Sequence, residues 1–168
     1  MGWHPDEDEP TAGDGAFRGA RLVLFGTNGN QYAGRTVRRE RMLELAPVDP
    51  TEAMIAVRAA RAARVRGVYW EYLQADDRPL ALRARDLVDE DEARWDANRV
   101  LGAVPELRVL YVRDHFSGQL AWWLAREREV VLLAPRVWGA TERGAVVRHA
   151  KGTLRALRRR PPWGEYRP

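Results

Sequence analysis

The chain has 168 residues, no cysteine, a formal net charge of +4 and a pI near 9.9. That length suits one domain, the missing thiols exclude disulfides and thiolate metal sites, and no apolar run approaches the ~20 residues a membrane-spanning helix needs. The excess of positive charge points towards a polyanionic partner. Lys151 is the only lysine and all other basic residues are arginines; guanidinium forks suit phosphate and stack on bases, although a GC-rich coding bias would produce the same list.

In chain order, residues 1–16 read as a disordered acidic tail. Asp6-Glu7-Asp8-Glu9 is a like-charge run between Pro5 and Pro10, followed by Gly13 and Gly15. No basic segment leads into an apolar core there, so a secretory signal is not expected and a cytoplasmic location is. Order is expected over 17–160. Leu22–Phe25 is a short buried-strand signal, and the loop after it holds the turn dipeptide Asn28-Gly29. That loop lacks the Gly-Lys-Ser/Thr ending of a phosphate cradle. Thr36–Leu45 reads as a strand completing a hairpin, because a helix would align Val37, Arg41 and Leu45, a poor apolar stripe.

Asp49-Pro50-Thr51-Glu52 opens a helix running to Val65, on which Arg58, Arg61 and Arg64 share one third of the circumference. Val68–Leu73 is aromatic and β-branched and reads as a strand; 75–79 is a turn, 80–85 alternates as a strand, and 89–101 is a helix with acids in its first turn. Residues 107–135 read as a βαβ unit, with parallel strands at Val109–Val112 and Val130–Leu133. The helix between them would carry Leu120, Trp123 and Leu124, with Ser117 as its N-cap. Thr141 would cap a last helix with the stripe Val147, Ala150, Leu154 and Leu157, leaving 161–168 as a flexible tail. The fold class expected is α/β (or α+β), one domain with a central mixed sheet of five or six strands flanked by helices.

Three groups of residues carry candidate chemistry. Parallel strands would gather their exits at one rim: Asn28 and Asn30, Asp76 and Asp77, Asp114 and His115, and Arg136. Asp76, Asp77 and Asp114 could then hold Mg²⁺ or Mn²⁺, with Asp114 and His115 as the catalytic pair of a metal-dependent nuclease or phosphoesterase. The plain alternative is that they are turn formers. Ser117 beside His115 lacks the flanks of a G-x-S-x-G nucleophile. The second group is a basic arc on the last helix, formed by Arg148, Lys151, Arg155, Arg158 and Arg159, which the arginines at 58, 61 and 64 would extend. It makes a small basic protein binding DNA or RNA the leading reading, with Mg²⁺ or Mn²⁺ the only cofactors in view. The third group is Trp122, Trp138 and Trp163, which could serve a protein partner or self-association in a non-catalytic assembly subunit.

Overall fold

A computed structural model describes residues 14–26, 32–52 and 67–168. Eight strands form one sheet: β1 Arg21–Gly26, β2 Ala46–Pro47, β3 Val68–Leu73, β4 Pro79–Arg83, β5 Arg108–Arg113, β6 Leu120–Arg126, β7 Glu129–Leu133 and β8 Trp163–Arg167. Their spatial order is β2-β5-β6-β7-β4-β3-β1-β8. Every pairing is antiparallel except β1 with β8. Three α-helices, α1 Tyr32–Leu43, α2 Glu90–Gly102 and α3 Arg143–Arg158, complete the described architecture. The class is mixed α/β on a single sheet, with more strands than the five or six expected.

Residues 107–135 are not a βαβ unit. They form a meander in which β6 pairs antiparallel with both β5 and β7. Leu120, Trp123 and Leu124 do have helical spacing, but Ala121, Trp122 and Ala125 beside them are equally buried. An unbroken apolar run marks a strand covered on both faces. Ser117 caps no helix. It sits in the β5–β6 turn, where the Asp114 carboxylate accepts from the backbone N–H groups of Phe116 (2.7 Å) and Ser117 (2.9 Å), and Gly118 takes φ +70°.

The register sorts the side chains. Leu24, Trp70, Arg83, Leu132, Leu124 and Trp122 share one face; Phe25, Tyr69, Glu71, Leu82, Leu133 and Trp123 share the other. Helices α2 and α3 cover the first face. α2 starts at Asp89, whose side chain accepts from Glu92 N–H at 2.8 Å. From its buried side, Asp96 receives Trp70 Nε1 at 2.9 Å and Arg83 through both Nε (2.8 Å) and a terminal nitrogen (3.0 Å). Asp96 and Arg83 are 0% and 1% exposed, so this is a buried ion pair. Arg83 gives a further hydrogen bond to the Val131 carbonyl at 2.7 Å.

Helix α1 covers the second face, over a span that takes in most of the strand expected at 36–45. Its periodicity is hidden because two of its sheet-facing positions are arginines. Arg35 pairs with Glu71 and lies 3.8 Å from the Phe25 ring centre, and Arg39 pairs with Asp86 at 2.6 Å. Met42 supplies the carbonyl that accepts from Trp123 Nε1 at 3.0 Å. Burial pushes the Glu71 carboxyl up, against the pull of Arg35. The second departure is β8: residues 163–167, expected in a flexible tail, pair with β1 and lie half-buried or exposed along the sheet edge. The acidic run at 6–9 and the helix expected from 53 to 65 lie outside the described residues; Pro50–Glu52 is a 3₁₀ turn.

Candidate nucleic-acid interface

The cap of helix α3 falls one residue later than expected. Glu142, not Thr141, holds the N-cap position, and its carboxylate turns back to accept from Gly139 N–H at 2.7 Å. The buried ridge is Val146, Ala150, Thr153 and Leu157, whereas Val147 and Leu154 of the expected stripe are only half-buried. Thr153 is tolerated in the core because its hydroxyl donates to the His149 carbonyl at 2.9 Å.

At about 100° per residue, Arg148, Lys151, Arg155, Arg158 and Arg159 fall in an arc of roughly 100° opposite that ridge. Arg148, Arg155, Arg158 and Arg159 are exposed and Lys151 is half-buried. The helix contains no carboxylate. Arg155, Arg158 and Arg159 have no ion pair among the described residues, and their place at the helix C-terminus suits the negative end of its dipole.

His149 is excluded from this charged face. It packs between the rings of Trp122, Trp138 and Phe17, and its Nδ1 accepts from Trp122 Nε1 at 3.1 Å. Burial, helped by nearby Arg136, pulls its pKa down to about 4, so the ring is neutral at pH 7. Trp122 and Trp138 are 0% and 2% exposed, which removes them as partner contacts. Trp163 is half-buried under Arg94, 5.0 Å from its ring centre. Among the described residues the exposed aromatics are Trp95, with Arg99 over its ring, Phe116 at the tip of the β5–β6 turn, and Tyr166 of β8. Sequence pattern did not mark Trp95 or Phe116 as surface contacts, since only the tertiary fold decides which aromatic is left outside.

Phe17 reaches α3 at Gly152, where an added Cβ would lie 2.7 and 2.9 Å from its ring atoms. Gly152→Ala is therefore expected to push Phe17 off His149 while gaining about 0.5–1 kcal/mol of helix propensity. The net stability change should be small. A clear change in tryptophan fluorescence should accompany it, because Trp122 and Trp138 flank the same histidine.

The carboxylates do not gather. Strands β3, β5 and β7 run one way and β1 the opposite way, so the expected common rim loses the β1 exit; Asn28 and Asn30 lie outside the described residues. Asp76 and Asp77 leave β3, while Asp114 and His115 leave β5. Three strands separate these two exits, about 19 Å at ~4.8 Å per strand step. Each acid has its own task. Asp76 pairs with Arg78 at 2.8 Å, and Asp77 with Arg21 and Arg167, the Arg167 hydrogen bond chiefly holding its pKa low. Asp114 is held low by the turn amides of Ser117 and Phe116. His115 is exposed, and Arg136 is exposed with its guanidinium 4.6 Å from the Trp138 ring centre. Among the described residues no three His, Asp or Glu side chains could hold one metal ion together. No helix there is long and apolar enough to cross a membrane. Arg58, Arg61 and Arg64 lie outside the described residues. Comparison with protein-family models, with curated proteins and with solved structures returned no match.

Proposed function

We propose that this protein binds nucleic acid through the outward face of α3, contacting backbone phosphates with Arg148, Lys151, Arg155, Arg158 and Arg159. What supports the reading is the coincidence of a cationic arc with the solvent side of a helix that has no acid of its own. Guanidinium groups neutralise phosphates and release condensed counterions, so such binding is steeply salt-dependent and weakly sequence-dependent. An apolar ridge bound to the sheet keeps the helix rigid, which holds the cations in a fixed row.

The test is fluorescence anisotropy with a labelled duplex and a labelled single strand, across a salt series. Five phosphate contacts predict a slope of log K against log salt of roughly −4.5 for duplex DNA. The triple variant Arg155→Glu, Arg158→Glu, Arg159→Glu should lower affinity by about 100-fold or more at moderate salt and flatten that slope by about 3. Its melting temperature should stay within a few degrees of wild type, since all three side chains are exposed. Unchanged affinity in the variant, or a wild type that retains neither probe at low salt, removes the proposal.

A further inference from the structure

A cavity of about 240 Å³ lies between β5, β6 and the first turn of α3. Tyr111, Leu120, Ala121 and Val146 supply its walls, and Arg113 and Arg143 also line it. Arg113 is the last residue of β5 and Arg143 the first of α3; both are exposed. Neither has an ion pair among the described residues. The two acids nearest to them in sequence are committed elsewhere: Asp114 to the amides of its own turn and Glu142 to Gly139 N–H. Two cations thus border an apolar recess without an ion-pair partner among the described residues.

Each part selects for a different part of a ligand. The apolar walls favour a hydrocarbon body, at roughly 25 cal/mol per Å² removed from water. Guanidinium groups on the lining favour a planar anion able to take two N–H donors. The volume is below the ~300–1,000 Å³ typical of drug-sized sites, which suits a compact molecule. We infer that this cleft binds a small amphipathic carboxylate, its apolar body against Tyr111, Leu120 and Val146 and its carboxylate between Arg113 and Arg143. On α3, Arg143 lies outside the arc that faces solvent at 148–159, so the cleft is separate from the proposed phosphate-binding face.

The experiment is calorimetric titration of the full chain with cyclohexanecarboxylate, cyclohexanecarboxamide and acetate. The carboxylate should bind saturably, the neutral amide about tenfold more weakly or worse, and acetate, which has the charge without the body, undetectably. The double variant Arg113→Gln, Arg143→Gln should keep its melting temperature and bind carboxylate and amide equally weakly. Ala140→Trp, at an exposed position on the rim, should block the carboxylate. Equal binding of acid and amide by wild type, carboxylate binding that survives the double variant, or no uptake of the carboxylate in the millimolar range would each overturn the inference. Nucleic-acid affinity should be unaffected by Ala140→Trp, so failure here is distinguishable from failure of the α3 proposal.

Discussion

Asp96→Ala is expected to destabilise the fold by about 3–5 kcal/mol, the cost of stranding a buried charge. For a chain of this length that is a fall of about 10 °C or more in melting temperature. Asp96 has no exposure, and it accepts from Trp70 and twice from Arg83. Burial alone would raise its pKa; the Arg83 hydrogen bonds and charge, with the Trp70 bond, outweigh this and bring it to about 2. Removing the carboxylate leaves Arg83 in the core with only the Val131 carbonyl, and leaves Trp70 Nε1 without an acceptor. The double variant Asp96→Ala, Arg83→Met should recover at least half of the loss in urea unfolding, because it removes the stranded buried charge, while Trp70 and the more exposed Arg85 and Arg99 still lose their Asp96 acceptor. A single-variant loss below about 1 kcal/mol would show that water or neighbouring groups satisfy Arg83 instead.

Acidification from pH 6.5 to 4 is expected to cost about 3 kcal/mol through His149 alone. The ring's folded-state pKa, about 4, lies below its model value of 6.5. Between those values the unfolded chain takes up a proton that the folded chain refuses, so stability present above pH 6.5 is lost as pH falls. Two other groups act differently. Glu71, raised by burial, takes up its proton first in the folded state and so moves stability the other way as pH falls. Asp96, lowered, withdraws stability only below about 3.8. The His149 contribution is isolated by His149→Gln, whose amide oxygen can still accept from Trp122 Nε1 but does not titrate. Its stability curve over the same window should be flatter than wild type by about 3 kcal/mol; parallel curves would place His149 in water.

How legible each element was depended on where its partners lie. The strands near 21–26, 68–73 and 80–83 and the helices near 90–102 and 143–158 carry their signals locally, as β-branched runs, caps and periodic apolar residues. Helix α1 does not, because Arg35 and Arg39 face the sheet only by virtue of Glu71 and Asp86, far along the chain. Strand β6 was misread because burial on both faces erases alternation. β8 was missed because a Pro-Pro-Trp-Gly segment is extended only when β1 lies beside it. The basic arc of α3 could be read from 3.6-residue periodicity alone. The metal proposal could not, since it needed strand directions and neighbours, and the Asp114–Gly118 turn makes a hairpin where a helix start was expected.

The parallel pairing of β1 with β8 joins segments about 140 residues apart. During synthesis β1 emerges well before β8, and until residue 167 clears the ribosome one of its edges offers unpaired N–H and C=O groups to any passing strand. Vectorial folding of this sheet therefore stalls with an open border beside Leu22–Phe25, and nascent chains are vulnerable to sticking together there until β8 docks.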